Sequence, residues 1–203
     1  MSADRIDALR SRLIDAAEAE LAEHGPEGLK ARAITRRAGC ALGALYKGFD
    51  DLGALALAVN ARTLTRLGDA LTADLPRAPT PEALTQALAG AYLDFALANR
   101  NLWLALFDLP GHGPALPDWY RQHHQLLLAR IIAPLGKLRP DLPPERMLLR
   151  IRTLFGAVHG VVHLSLRDTL IGVPQEALRD EIAALVTAMT LGARQVAEGD
   201  GGR

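Results

Sequence analysis

Only one cysteine, Cys40, occurs in 203 residues, which excludes a disulfide scaffold and fits a reducing compartment. Aromatic residues are scarce, at 4%. Net charge is absent: 23 Lys and Arg balance 23 Asp and Glu, so the chain as a whole is not a polyanion binder. No apolar run approaches the ~18 uninterrupted residues that a membrane helix requires. The opening stretch, MSADRIDALRSRL, alternates charges without an apolar core, so it does not read as a signal peptide. These absences lead us to expect a soluble, cytoplasmic protein that does not enter a membrane. Catalytic motifs are missing too: residues 81–198 hold no Gly-rich phosphate loop, no nucleophile elbow and no HExxH. Neither an enzyme nor a cofactor is expected, and only the histidines of this region argue for chemistry.

What the chain has is helix-forming material. Apolar residues make up 49% of it, mostly Ala and Leu, with length enough to bury a substantial core. Ile6, Leu9, Leu13, Ala17 and Leu21 recur at helical spacing over residues 5–24, and His24-Gly25-Pro26 ends that run. Between Leu29 and Phe49 two short helices meet at Gly39, a helix-turn-helix pattern, with the second starting near Leu42. A long helix is predicted from Asp51 to Asp74. The linker PRAPTP then ends in Thr80 as N-cap, Pro81 in the first helical position and Glu82 behind it. Helical patterning covers 81–99, 100–109, 117–136, 144–168 and 174–198, broken at Pro110-Gly111, Pro114, Pro117, Pro140 to Pro144 and Gly172-Val173-Pro174. No strand alternation appears. The fold class is all-α, about nine helices, with a three-helix helix-turn-helix domain over 1–50. A helical domain follows over 51–198, and a short tail over 199–203 is expected to be disordered.

Zero net charge hides a local asymmetry. From Gly28 to Phe49 the basic residues are Lys30, Arg32, Arg36, Arg37 and Lys47, with no acid among them. The preceding helix is acid-rich, with Asp7, Asp15, Glu18, Glu20 and Glu23. A basic helix-turn-helix beside an acidic support helix suits phosphate contact, which counterion release drives. A merely solvated charged face fits the same pattern.

Residues 10–59 resemble the DNA-binding domain of the tetracycline-repressor (TetR) family of bacterial transcriptional regulators. The resemblance lies in Leu13-Ile14-Asp15-Ala16-Ala17, Glu23-His24-Gly25, Leu29, Ile34, Arg37-Ala38-Gly39 and Gly43-Ala44-Leu45-Tyr46-Lys47-Gly48-Phe49. It implies that the helix from Leu42 enters the major groove of double-stranded DNA. Leu42 and Ala44 would then face base edges, and Tyr46 and Lys47 would reach phosphates. Arg36 and Arg37 would add phosphate contacts from the preceding helix, while Leu45 and Phe49 pack inward.

Three positions depart from the family pattern. Ala41 stands where Ser or Thr is usual, so the recognition helix lacks a side-chain cap worth ~0.5–2 kcal/mol and a phosphate-bonding hydroxyl. Lys30 replaces a common capping Thr, and Leu52 replaces a Lys that commonly touches phosphate. These changes predict weaker DNA binding than is typical for the family. They also motivate an alternative, a helical small-molecule binding protein whose DNA-binding function has weakened or been lost. Cys40 reads as a small buried hydrophobe in the turn.

In the second domain Tyr92, Phe95, Trp103, Phe107, Trp119, Tyr120, His123, His124, Phe155, His159 and His163 gather most of the aromatic and histidine content. Apolar walls with a few polar anchors suit a ligand cavity, and core filling suits them equally. The resemblance favours an effector pocket, with Trp103, Phe107, Trp119, Tyr120, His123, Arg152, Phe155, His159 and His163 as its candidate residues. The His159/His163 pair shares a helix face but lacks a third ligand, so no metal is expected. The last helix carries the stripe Leu178, Ile182, Leu185, Met189, Ala193 and Val196. By the resemblance it implies a homodimer interface, with Leu178, Ile182, Leu185, Met189 and Val196 at its centre. Dimerisation would place two recognition helices one DNA turn apart on a near-palindromic operator. The overall expectation is a ligand-responsive regulator, a homodimeric repressor released from its operator by a small molecule.

Overall fold

The computed structural model describes residues 3–77, 80–108, 116–138, 142–167 and 169–200, and the side chains of all but 3, 130–135, 138 and 191–200 among them. The described residues form nine α-helices and no strand. They are α1 (Ala3–His24), α2 (Ala31–Arg37), α3 (Leu42–Gly48), α4 (Leu52–Ala73), α5 (Pro81–Ala98), α6 (Arg100–Asp108), α7 (Asp118–Leu138), α8 (Pro144–Leu166) and α9 (Gln175–Asp200). A 3-10 turn, Gly25–Gly28, follows α1. The breaks expected at Pro110-Gly111, Pro114 and Pro140 lie outside the described residues. So do residues 201–203 of the tail; α9 itself runs on to Asp200.

Contacts divide the chain into two compact units. One comprises Met1–Arg66 with Asn99–His124, the other Leu67–Ala98 with Gln125–Arg203. The first is built on α1. Its Leu13, Ala17 and Leu21 are fully buried, as the sequence period requires, and meet Ile34 of α2, Leu45 of α3 and Leu55 and Val59 of α4. Each such Leu or Ile contributes roughly 1.5–3 kcal/mol of burial. Leu102 and Ala105 of α6 enter the same cluster, which is why α6 belongs to this unit.

Two glycines fix the chain path. Gly39 has φ 63°, a left-handed backbone that lets α2 turn into α3. Gly28 lies against the α1 backbone so closely that a Cβ there would sit 2.3 Å from the Glu20 carbonyl oxygen. Pro81 opens α5, where Thr80 Oγ1 accepts from the Ala83 N–H at 3.1 Å, the expected cap.

The second unit packs α5 against α8 and α9, and α8 against α9. Among the described residues α8 is the one helix long and apolar enough to cross a membrane by length and composition. Its stripe of Met147, Ile151, Leu154, Val158 and Val162 is instead buried within the unit. The turn after α8 is tightly held, with Ser165 Oγ accepting from the Val173 N–H at 3.0 Å.

Candidate nucleic-acid interface and effector cavity

The geometry of the α2–α3 surface follows from which side chains the core takes. Leu45 and Phe49 turn inward and are buried, while Leu42 at 41% and Tyr46 at 58% exposure turn outward. Lys30, Arg32, Arg36, Ala41, Gly43 and Lys47 are exposed beside them. The result is an outward face with four cations, a tyrosine hydroxyl and no carboxylate on either helix. Gly43 has no neighbouring atom within 4 Å of where a Cβ would stand, so its small size leaves the middle of α3 low. Ala44 is half-buried and packs against the unit's core. Cys40 does the same.

Neither short helix has a side-chain cap. Ala41 at the start of α3 is extended (φ −70°, ψ 152°) with nothing to offer the first free N–H groups, and Lys30 at the start of α2 is likewise silent. Leaving those donors uncapped exposes them on the same face as the cations. At the other end of α3, Arg10 of α1 donates to the Gly48 carbonyl and lies 4.3 Å over the Phe49 ring, anchoring the recognition helix to its support.

Arg37 departs from its expected place on a phosphate. Its Nε donates to Glu20 Oε1 at 2.7 Å, and its two terminal nitrogens donate to the Glu23 carboxylate at 2.7 and 2.5 Å. The hydrogen bond to Arg37 holds the Glu23 carboxyl below the ordinary range, and the two glutamates raise the guanidinium's own pKa. The support helix is thus acidic because it clamps α2, not because it leaves charge idle. Arg62 and Arg66 of α4 use Asp15 and Glu18 in the same way, with Arg62 at 2.7 Å from Asp15 and 2.8 Å from Glu18.

The second unit contains a cavity of about 40 Å³. Leu71, Leu88, Leu127, Leu154, Phe155 and Val186 make most of its wall, and Thr85 and Tyr92 are its only residues with a polar side-chain atom. Tyr92 and Phe155 meet edge to face with ring centroids 5.7 Å apart. The Tyr92 hydroxyl shares a 2.9 Å hydrogen bond with His159 Nδ1, and the His159 ring stacks on Phe155.

Family models match both halves of this arrangement. Residues 13–59 match bacterial regulatory proteins of the tetR family, and residues 85–189 match a tetracyclin repressor-like C-terminal domain. The chain belongs to the TetR family. A protein of unknown function from Rhodococcus sp. RHA1 is 27% identical, with 92% of this chain and 94% of that one covered at a TM-score of 0.68. RolR, solved with resorcinol, is 21% identical over 97% of this chain and 96% of its own, at a TM-score of 0.69. FadR from Bacillus subtilis, solved with stearoyl-CoA, is 16% identical over 90% and 98%, also at 0.69. No curated protein matches the chain.

TetR-family regulators carry a DNA-binding N-terminal domain and a ligand-binding C-terminal one, and act as dimers. Against that plan, the residues expected to bind ligand fall into two groups. Trp103, Phe107, Trp119, Tyr120 and His123 belong to the first unit. Trp103 and Tyr120 are fully buried there, with Trp103 packed on Phe107 and Tyr120 on Trp119. Arg152, Phe155, His159 and His163 belong to the second unit, and of these Phe155 alone lines the cavity. His159 reaches the wall through Tyr92, His163 stacks beside His159 at 5.4 Å, and Arg152 is exposed. Among the described residues no three His, Cys, Asp or Glu side chains gather as a metal would need.

The aliphatic wall was missed from the sequence because Leu88, Leu127 and Val186 carry the same signal as any core position. Of the interface residues, Leu178 and Ile182 are buried in the chain's own unit, at 1% and 2% exposure, because α9 spends that stripe on α5 and α8. Leu185 and Met189 remain half-buried, and the side chain of Val196 lies outside the described residues.

Proposed function

We propose that this TetR-family regulator is a homodimeric repressor of a near-palindromic operator, released when a small molecule enters the second unit. The observation that carries the reading is the outward face of α2 and α3. It presents Lys30, Arg32, Arg36, Lys47 and Tyr46 with no carboxylate among them, while the acids of α1 are engaged with arginines. Lys30, Arg36, Tyr46 and Lys47 would hold phosphates. Leu42, with Gly43 leaving room beside it, would lie against base edges and favour thymine methyls.

Pairing of two copies would use what α8 and α9 leave unburied. Leu149 is 55% exposed, and Gly156, Ala184 and Ala188 are exposed small residues that permit close helix approach, with Leu185 and Met189 at the margin. An effector can release DNA only by favouring the conformation that fits the operator less well; a shift from 1:99 to 99:1 takes roughly 5.5 kcal/mol of differential affinity. α4 supplies residues to both units and is the segment along which such a change would pass.

The test is a fluorescence-anisotropy titration against promoter-proximal DNA flanking the protein's own gene, with scrambled DNA as control, at low and physiological salt. Tighter binding to the native fragment that weakens with salt supports the reading. Equal, weak binding to both fragments counts against it.

A further inference from the structure

We propose that the cavity of the second unit takes an uncharged, apolar effector and rejects carboxylates, phosphates and ammonium ions. This assignment rests on the regulator reading above and adds the chemistry of the ligand. Every lining side chain is aliphatic or aromatic except Thr85, and both polar atoms of the wall are already engaged. Thr85 Oγ1 donates to the Pro81 carbonyl at 2.7 Å, and the Tyr92 hydroxyl pairs with His159 at 2.9 Å.

No Lys, Arg, Asp, Glu or His lines the space. An ion entering it would lose its hydration and gain neither a counter-charge nor a hydrogen bond, the least favourable form of burial. Water gains little there either: the space exceeds the ~10–15 Å³ that one molecule needs, but the walls lack the two to four polar partners that hold it. A dry, apolar space bounded by leucines and by the edge-to-face pair Tyr92 and Phe155 selects a hydrocarbon ring or branched chain, which packs on aromatic faces. A ligand's single polar group would have to remain at the mouth.

Three probes of one carbon skeleton separate the classes: toluene, benzoate and benzylamine, neutral, anionic and cationic at pH 7. Calorimetric titration of the full chain is expected to show toluene binding at least tenfold more tightly than either ion. Saturation-transfer NMR should place toluene against the Tyr92 and Phe155 ring protons, a readout that needs no variant. Val158→Trp, which fills the space, should weaken toluene at least tenfold, and the milder Ala89→Leu should weaken it in the same direction. Benzoate or benzylamine binding as tightly as toluene overturns the assignment, as does toluene without contact to those two rings. Release of operator DNA by toluene is measured separately: its absence counts against the coupling proposed above and leaves the ligand class standing.

Discussion

Arg37 Nε lies 2.7 Å from Glu20 Oε1, and Glu20, at 6% exposure, is the only buried acid among the described residues. A carboxylate so placed needs its partner more than the partner needs it. Replacing Arg37 by Ala strands the Glu20 charge beneath α2. Because Arg37 itself remains 35% exposed, the cost is discounted from that of a fully buried pair, to about 1–2 kcal/mol. Glu20→Gln alone should cost less, and the double variant less than the sum. Urea unfolding of the four proteins closes the cycle, and strict additivity would show that the two residues do not act as a pair.

Glu23 gives the same clamp a pH signature. Its folded-state pKa lies below the ordinary 4.5, chiefly through the hydrogen bond from Arg37. A depressed carboxyl contributes stability that is fully present above its unfolded pKa and is lost as pH falls through the folded one. The clamp should therefore hold at neutral pH and weaken only below 4.5. Carbon-detected NMR titration should show the Glu23 carboxyl midpoint rising when Arg37 is changed to Met. An unmoved midpoint would remove Arg37 as the cause.

Arg36, one residue earlier, should behave differently. It is exposed on the outward face, whereas Arg37 is held by two glutamates. Arg36→Ala is expected to weaken native and scrambled DNA alike and to reduce the salt slope of binding by about 0.9, the signature of one lost phosphate contact. Its thermal midpoint should not move. A slope unchanged from wild type would take Arg36 off the DNA.

The contrast between these neighbours shows where sequence reading stops. Helix ends were legible because their signals are local: Thr80 caps α5, Gly25 and Gly39 take left-handed φ of 64° and 63°, and the α1 period predicts its buried face. The fate of Arg37 depends on Glu20, seventeen positions away, and basic spacing alone cannot distinguish a clamped arginine from an outward one. Grouping α6 with the first unit rests on Leu102 and Ala105 reaching the α1 core, a tertiary choice that no local period encodes. The cavity was hidden for a related reason. Its walls are ordinary leucines and valines, while the aromatic residues that drew notice, Trp103 and Tyr120 among them, fill the core of the other unit.

Ala41 offers a gain rather than a loss. Its backbone is already extended, as an N-cap requires, and it makes no capping bond. Ala41→Ser should supply an acceptor for the first turn of α3 and raise stability by about 0.5–2 kcal/mol, read as an increased urea midpoint. Since the hydroxyl also faces outward with Leu42 and Tyr46, DNA affinity should rise in parallel. Stabilisation without tighter DNA binding would separate the cap from the phosphate role.

Tyr120 carries the opposite prospect, a polar atom whose removal should help. The side chain is fully buried, and its hydroxyl makes no hydrogen bond. Burial raises its pKa; the Asn60 amide is near enough to offset this in part, but not to bond. Asn60 Oδ1 is similarly unsatisfied, although its Nδ2 donates to the Ala105 carbonyl at 3.2 Å and so ties α4 to α6. An unmade hydrogen bond on a buried group costs about 1–3 kcal/mol. Tyr120→Phe keeps the ring against Trp119 and His124 and discards the hydroxyl. It should leave stability unchanged or raise it by about 1 kcal/mol. Asn60→Ala should lower it, because the bond to Ala105 goes with the side chain. Calorimetric unfolding of the two variants decides the matter: a destabilised Tyr120→Phe would mean that the hydroxyl has a bonded partner, an internal water or the Asn60 oxygen itself.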